Sequence, residues 1–208
     1  MMGAKTRVGL FLGILALGAW PSPRVALSFS AAYSALANLV LAGHTFGERG
    51  RAVLVPLREI NRREGDNVTA DAVLALSVEG YTGSLPLGIS LRRDVYLPLL
   101  IVLALIAAFP LQTKQRLRCL ALGVPTTLAA GITANWLVAA WTFSVELNGV
   151  YPASPTERRL VEWAYGALLA PPGNRFIAPI ALAAALIGWQ LTRGPTASPA
   201  SSGAAQAS

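Results

Sequence analysis

Charged and reactive side chains are scarce in this sequence. Asp, Glu, Lys and Arg make up 13% of its 208 residues, about half the share found in soluble domains. One Cys and one His are present, which excludes a disulfide framework and a zinc site built from Cys and His. The chain has no Walker loop and no GxSxG or HExxH motif, so the common motif-bearing hydrolases and nucleotide-binding enzymes are not indicated.

Hydrophobic residues dominate instead, at 54% of the chain, and the mean hydropathy is +0.52. A bilayer core of about 30 Å is crossed by roughly 20 apolar helical residues, with about 17 as the lower limit. Five uncharged windows approach or exceed that length: 8–23, 25–47, 95–113, 119–145 and 176–192. The last three are predicted to be transmembrane helices.

The first two windows allow three interpretations, because Pro21 and Pro23 separate them. Both windows cross the membrane, or the first is a cleaved signal peptide, or one span continues past the prolines as an amphipathic helix outside the bilayer. A signal peptide with no second span stays open as an alternative. The segment LALGAWPSP, however, has no clean A-x-A cleavage pattern.

Charge favours the single span. The connection LQTKQRLRC carries three basic residues and no acid, so it is predicted to be cytoplasmic. With one span before Glu48, the N-terminus with Lys5 and Arg7 is also cytoplasmic. Two spans place that basic N-terminus outside, and a signal peptide followed by a second span places LQTKQRLRC outside. Both arrangements oppose the positive-inside rule.

The sequence therefore predicts a mainly α-helical, polytopic membrane protein with about four transmembrane helices and a small extracytoplasmic β-hairpin region. The predicted partners are the lipid bilayer and another membrane protein, and both termini are predicted to be cytoplasmic. The predicted segments are a cytoplasmic N-terminus (1–7), a first transmembrane helix with a kinked or interfacial continuation (8–42), an extracytoplasmic segment (43–94), a second transmembrane helix (95–112), a basic cytoplasmic turn (113–118), a third transmembrane helix (119–145), an extracytoplasmic segment with an interfacial helix (146–175), a fourth transmembrane helix (176–192) and a disordered cytoplasmic tail (193–208).

This topology accounts for the net charge of +7. Six basic residues and no acid fall on the cytoplasmic side, and the outer side is nearly neutral. The cytoplasmic residues are Lys5, Arg7, Lys114, Arg116, Arg118 and Arg193. The positive charge is thus read as an orientation signal, and a nucleic-acid partner is not predicted.

The first extracytoplasmic segment contains a predicted hairpin from about 72 to 91. Apolar residues alternate on one parity within 70–78 and again within 85–91, with GYTGS between them. Periodicity does not decide whether RAVLVPLREI is a strand or an interfacial helix, and RREGDN is predicted to be an exposed turn. In the second segment, Ser154 or Thr156 is expected to cap a helix from about 157 to 169.

Few groups in the predicted fold can support catalysis. His44 and Cys119 are predicted on opposite sides of the bilayer, so we predict no catalytic, metal-binding or cofactor-binding residues. Asn135 is the most conspicuous polar residue in a span and is expected to make an interhelical hydrogen bond. Glycine and alanine are expected to pack the third and fourth transmembrane helices closely, and three prolines are expected to kink helices. The candidate helix-packing or partner-contact residues are Glu79, Arg92, Arg93, Asp94, Asn135, Trp163, Tyr165 and Arg175.

One layout goes beyond composition. A Pro-Leu-rich span (YLPLLIVLALIAAFP) is followed by a basic turn (TKQRLR) and a long helix, and an aromatic segment then enters the last span through prolines (WAYGALLAPPGNRFIAPIALAAALIGW). Over roughly residues 8–192 the chain resembles the small four-span proteins associated with exosortases, in particular the exosortase H-associated membrane proteins.

The resemblance implies an inner-membrane accessory role, without enzymatic activity, in sorting proteins that carry a C-terminal anchor in a Gram-negative envelope. An exosortase is then the implied membrane-protein partner. Two alternatives stay open: a small membrane enzyme that uses outer-face carboxylates and arginines on a peptide or lipid-linked substrate, and a transporter subunit.

Overall fold

The computed structural model describes residues 4–19, 21–47, 49–62, 69–80, 82–147, 154–168 and 174–192. Within these ranges the chain is mostly helical with one small antiparallel sheet, which confirms that part of the predicted fold. The helices are α1 (Ala4–Gly18), α2 (Pro23–Leu41), α3 (Leu97–Ala108), α4 (Thr113–Trp141), α5 (Pro155–Leu168) and α6 (Asn174–Thr192). The strands are β1 (Thr45–Phe46), β2 (Gly50–Arg62), β3 (Thr69–Val78) and β4 (Ser84–Ile89). Most of the predicted turn RREGDN and the predicted tail lie outside the described residues.

The sheet has the order β1-β2-β3-β4, with neighbouring strands antiparallel. Strands β3 and β4 form the predicted hairpin, and Gly80 and Gly83 take positive φ values of 92° and 133° in its turn. The ambiguous segment RAVLVPLREI is part of β2, paired with β3. Pro86 lies on β4 at the edge of the sheet, where its missing N–H interrupts no ladder bond.

Buried apolar residues alternate with more exposed residues along β2 and β3. Since successive side chains of a strand point to opposite faces, the buried residues form one face of the sheet. Leu54, Leu74 and Leu87 are aligned across the three longer strands. This face packs against α2 and against the end of α4, where Phe143 is fully buried. The sheet is therefore joined to the helices through a shared hydrophobic core.

Helix α2 is also attached to the sheet by hydrogen bonds. The Asn38 side chain donates to the Leu54 carbonyl and accepts from the Leu54 N–H, both at 2.8 Å. A side-chain amide thus pairs with β2 as a neighbouring strand would, on the edge that the short β1 leaves uncovered. The Ser30 hydroxyl donates to the Asp71 carbonyl at 2.9 Å.

Asp71 connects the sheet to the entry of α3. Its two carboxylate oxygens accept the backbone N–H groups of Leu91 (2.6 Å) and Arg92 (2.9 Å), which begin the π-helical turn Arg92–Tyr96 before α3. The carboxylate therefore satisfies donors that the start of a helix leaves unpaired. Burial raises the pKa of the Asp71 carboxyl above its usual value of 3.8, although these two N–H donors oppose the shift.

Helices α1, α3, α4 and α6 pack together as a bundle, and α3 is its central member. Val102 and Ile106 of α3 face Gly123 of α4, while Leu100 faces Gly18 of α1. Ala183 of α6 is fully buried in the same bundle. The predicted small-residue packing of α4 against α6 is only partly right. Gly123 does lie at that contact, but Ala129 and Ala130 are exposed.

The four bundle helices alternate in direction. The Arg92 guanidinium donates to the Ala19 carbonyl (2.9 Å), so the end of α1 meets the start of α3. At the opposite end, Gln115 donates to the Gln190 carbonyl (3.3 Å), so the start of α4 meets the end of α6. Pro110 follows the end of α3 and does not kink it, whereas Pro125 and Pro179 lie inside helices. The sheet lies at the end where α4 and its π-helical continuation Thr142–Glu146 finish.

The proline-rich connection divides the first predicted span into two helices. Helix α1 ends at Gly18, and α2 begins at Pro23 with Ser22 as its N-cap. Two helical stretches of the described chain are long and apolar enough to cross a membrane, 24–41 and 113–145, and a third, 177–192, is shorter. These stretches are compatible with a membrane protein, and the four-span arrangement stays a prediction.

Replacing Asp71 with Ala is expected to lower the free energy of unfolding by about 2–4 kcal/mol, because two buried N–H donors lose their acceptor. Thermal unfolding of the detergent-solubilised protein, followed by tryptophan fluorescence, measures the loss. Glu79→Ala is the control, since Glu79 is exposed, and a change within about 0.5 kcal/mol is expected there. Equal stability of the two variants would contradict the capping role.

The raised pKa of Asp71 predicts a pH dependence. The folded state keeps the proton of Asp71 to a higher pH than the unfolded state, for which the usual value is 3.8. Its contribution to the free energy of unfolding therefore falls as pH rises from 3.8 through the folded pKa, and is constant above it. The measurement compares the free energies of unfolding of the wild type and Asp71→Asn between pH 3.5 and pH 8. The value for the wild type minus that for Asp71→Asn should fall as pH rises. A difference that rises with pH would contradict the prediction.

Candidate functional site

A groove of about 810 Å³ lies between the sheet and the bundle. Its walls come from β4, the π-helical turn before α3, the start of α3, α4, the end of α5 and the start of α6. We call it the α4 groove because α4 and its π-helical continuation contribute the longest wall, from Thr126 to Thr142. Residues that line it include Ile89, Asp94, Pro98, Ala130, Trp141 and Ala178.

The deep end of the groove is closed by close packing. Gly123 of α4 sits where a methyl group would lie 3.1 Å from Val102 and 3.3 Å from Leu186. Beyond that point α3, α4 and α6 share a core that includes Cys119 and Ile187. The groove therefore begins where the contact between α4 and α6 ends and continues toward the sheet.

Asn135 is a buried polar residue of the groove, with 4% of its surface exposed. Its amide donates to the Tyr33 hydroxyl of α2 at 3.2 Å, which is the interhelical hydrogen bond expected from the sequence. This bond engages one end of the carboxamide. Among the described residues, the other end of the carboxamide makes no hydrogen bond, and exchanging the positions of its O and N atoms does not change the number of hydrogen bonds left unmade.

Close approach of two helices holds this pair in place. A methyl group at Gly131 would lie 2.8 Å from the Tyr33 hydroxyl and 2.9 Å from Val95. Only glycine leaves room for both neighbours at this level of α4. Since α3 is antiparallel to α4, Arg93 and Asp94 precede Val95 on the side nearer the sheet, close to the level of Asn135.

Arg93 and Asp94 form an ion pair at the wall of the groove. The Arg93 Nε lies 2.9 Å from the Asp94 Oδ1, and the two side chains are 44% and 20% exposed. Within the described residues, Arg93 makes this bond through Nε alone, which leaves the two terminal nitrogens of its guanidinium. The pair adds no net charge to the groove, but it places opposite charges side by side.

The rest of the groove is mainly apolar. The hydroxyl groups of Thr127, Thr133 and Thr142 each donate to the carbonyl four residues earlier in α4, at 2.7–3.0 Å. Near the sheet, Trp141 stacks on Tyr165 of α5 with ring centroids 4.5 Å apart and an interplanar angle of 13°. A binding surface of this kind fits a largely apolar ligand with one polar part.

Four of the eight sequence candidates line this groove: Arg93, Asp94, Asn135 and Tyr165. The others lie elsewhere. Glu79 is exposed at the tip of the β3–β4 hairpin, and Arg92 binds the Ala19 carbonyl. Trp163 is 71% exposed on α5, so it is not a helix-packing residue, and Arg175 belongs to the first turn of α6.

The structure keeps the two rarest reactive side chains apart. The His44 ring contacts Trp136 of α4 with centroids 5.7 Å apart, and Cys119 lies seventeen residues earlier on the same helix. At 1.5 Å per residue the separation is about 25 Å. In the described ranges no three His, Cys, Asp or Glu side chains converge as a metal site would require.

Comparisons with known proteins give no relative: no family model, no curated protein and no solved structure matches this chain. The function therefore has to be argued from the groove, the sheet and the distribution of apolar surface.

Gly131→Ala is expected to lower the free energy of unfolding by about 1–3 kcal/mol, because the added methyl group meets Tyr33 and Val95. Gly188 of α6 is a matched control, since a methyl group there meets nothing within 4 Å. Gly188→Ala should leave stability unchanged or raise it by about 0.5–1 kcal/mol. Thermal unfolding in detergent compares them, and a harmless Gly131→Ala would contradict the close approach.

Proposed function

We propose that this chain is a non-enzymatic, multi-pass membrane protein that holds a small sheet at the outer surface of the inner membrane and binds a membrane-protein partner there. Helices α1, α3, α4 and α6 are its four spans, and both termini are cytoplasmic. The observation that carries the proposal is the apolar side chains that the bundle exposes. They are Val8, Leu10, Leu12, Leu17, Leu117, Leu122, Ile177, Ile180 and Leu191.

Exposed apolar surface of this extent is unfavourable in water and ordinary in lipid. The basic residues at the end of the bundle far from the sheet support the orientation. Lys5 and Arg7 begin α1, while Lys114, Arg116 and Arg118 belong to the start of α4. The positive-inside rule assigns that end to the cytoplasm and the sheet to the outer side.

Helix α2 passes a length-and-composition test for a span, but its contacts favour another placement. Asn38 and Ser30 bind the backbone of the sheet, and one face of the helix is buried against the same strands. Its other face exposes Leu39 at 78% and Val40 at 51%. We infer that α2 lies at the outer membrane interface with this apolar face toward the lipid.

The surface proposed for the partner is the face of the sheet that points away from the bundle. Its central residues are apolar and half-buried or exposed, although the outer face of an antiparallel sheet is usually polar. They are Val53, Val55, Val73, Ala75 and Pro86. We refer to them as the outer sheet face. An apolar patch of this kind fits a protein partner better than water.

The sequence resemblance supplies the class of partner, an exosortase-type sorting enzyme that acts on C-terminally anchored proteins. A role as the enzyme itself is disfavoured by where the charged candidates lie. Glu79 and Arg92 do not line the groove, and the described residues that line it beside the ion pair of Arg93 and Asp94 include no His, Cys or Lys. A transporter subunit has no comparable support.

Topology reporters test the membrane arrangement. Fusions after Gly65 and after Gln115 should report an extracytoplasmic and a cytoplasmic position, respectively, in intact cells. The expectation follows from the sheet and the basic turn lying at opposite ends of α4. The reverse result, or the same side for both fusions, would contradict the four-span arrangement.

Co-purification in mild detergent tests the partner surface. Val55 is 44% exposed at the centre of the outer sheet face, so Val55→Asp is expected to reduce recovery of a stoichiometric partner at least about tenfold, which is the effect of roughly 1.4 kcal/mol. Val55→Thr is the control because it keeps the shape and the strand propensity. Undiminished recovery with Val55→Asp would contradict this surface as the docking site.

A further inference from the structure

The first half of α4 presents two cations and several apolar side chains to the outside of the bundle. Lys114 and Arg118 are exposed about one turn apart, and Leu117, Ala121 and Leu122 are exposed beside them and further along the helix. The two leucines expose 60% and 45% of their surface. We call these five residues the basic face of α4. It joins charge and apolar surface on one side of a single helix.

The two cations of this face have no role in packing the bundle. Neither Lys114 nor Arg118 makes a hydrogen bond or an ion pair within the described ranges. The residues between them differ, because the Gln115 and Arg116 side chains donate to backbone carbonyls of α6 and of the end of α3, both at 3.3 Å. The donors of Lys114 and Arg118 are therefore available to a ligand.

The local electrostatics favour an anion at this position. Like charges four residues apart on a helix repel each other, and the amide dipoles of a helix disfavour a cation near its N-terminus. Both effects apply here, because Lys114 lies in the first turn of α4, where no acid is present, and Arg118 follows four residues later. None of the four bundle helices contains an Asp or a Glu. An external anion would offset both effects.

We propose that the basic face of α4 binds an anionic phospholipid from the inner leaflet of the bilayer. The phosphate lies between Lys114 and Arg118, and the acyl chains follow the apolar residues of the face. The two cations are about 6 Å apart along the helix axis at 1.5 Å per residue, so one phosphate accepts hydrogen bonds from both. The inference rests on the proposed membrane placement of α4, but it concerns a ligand and a surface that the protein partner does not use.

The change from basic to apolar surface along α4 follows the change from headgroup to hydrocarbon in a phospholipid. Ten residues beyond Arg118 correspond to about 15 Å, which is half of the hydrocarbon core. The exposed side of the helix carries no charge over that distance. Its exposed residues are Ala121, Leu122, Pro125, Thr126 and Ala129.

Net charge distinguishes between the common headgroups. Phosphatidylglycerol carries one net negative charge, which both cations attract. Phosphatidylethanolamine adds an ammonium group, which Lys114 and Arg118 repel and which no acid of the bundle helices attracts. Each basic residue near an anionic membrane surface strengthens binding about fivefold. The basic face is therefore expected to select the anionic lipid.

Fluorescence quenching by brominated lipids tests this proposal with the full chain. The protein is reconstituted in vesicles of equal phosphatidylglycerol and phosphatidylethanolamine, and one lipid at a time carries brominated acyl chains. A bimane fluorophore is attached at Ala121→Cys on the basic face or at Ala181→Cys, which is exposed in the outer half of α6. Cys119 is buried and does not compete for the label.

The quenching gives the local ratio of the two lipids beside each label. Phosphatidylglycerol is expected to be enriched about fivefold or more at position 121 and to show no such enrichment at position 181. Equal ratios at the two positions would overturn the proposal. So would disulfide-linked dimers formed through Ala121→Cys, because they would assign the basic face to a second copy of the chain.

Variants test the two cations. Lys114→Gln combined with Arg118→Gln should lower the ratio at position 121 to that at position 181. Arg51→Gln combined with Arg159→Gln is the matched control, since it removes the same charge from exposed positions of β2 and α5, and it should leave the ratio unchanged. Enrichment that survives removal of both cations would overturn the proposal.

An exchange of the two cations separates a lost lipid site from misfolding. Lys114→Arg combined with Arg118→Lys keeps both charges and should keep the enrichment, while its loss would overturn the proposal. Thermal unfolding in detergent should be unchanged in both pairs of α4 variants, because neither side chain contacts the bundle through a polar bond.

Inorganic phosphate distinguishes a lipid from a soluble anion. An excess of phosphate should not reduce the enrichment below that in sodium chloride of the same ionic strength, because the acyl chains contribute to binding. Displacement by phosphate would overturn the proposal. Both lipids are present in both leaflets of the vesicles, so the assay is independent of sidedness and of the outer sheet face. Its failure is therefore distinguishable from failure of the topology or of partner binding.

Discussion

The bond between the Asp71 carboxylate and the first N–H groups of the helical turn before α3 is the contact on which the arrangement of sheet and bundle depends. It fixes the point at which β4 turns into the central helix. Ser30 binds the carbonyl of the same residue, so α2 meets the sheet at that junction as well. The raised pKa of Asp71 reflects the cost of burying a carboxylate there, and its hydrogen bonds offset that cost.

Two further contacts hold the helices and the sheet in place. Asn38 completes the edge of β2 as a strand would, so the sheet needs no further neighbour on that side beyond the short β1. Gly131 lets α4 approach Tyr33 and Val95 closely, which brings Asn135 beside Tyr33. The α4 groove lies between these fixed points, with its polar wall at the level of Asn135 and its apolar wall below it.

Local patterns in the sequence predicted the local parts of this structure. Alternation and two glycines predicted the hairpin of β3 and β4, and Ser154 and Glu157 form the reciprocal cap at the start of α5. Long-range pairings carry no such local signal. Asp71 caps a helix that begins twenty residues later, whereas capping rules search the residue just before a helix.

The same limit applies to α2 and to the groove. Ser30, Ser34 and Asn38 recur every four residues, as in the amphipathic continuation that the sequence predicted, but the pattern did not indicate that Ser30 and Asn38 bind the sheet. The groove combines residues from widely separated parts of the chain, so spacing alone did not unite Arg93 with Tyr165 or separate them from Glu79 and Trp163.

The central claim is that α2 lies at the interface while α4 crosses the bilayer, and spin-label depth measurements in lipid test it most directly. One label replaces Leu39 on the exposed face of α2, and another replaces Leu122 on the exposed face of α4. The oxygen and nickel-chelate accessibilities should place the first label within about 5–10 Å of the headgroup boundary. They should place the second near the middle of the roughly 30 Å core. A label at position 39 near the middle of the bilayer would contradict the account.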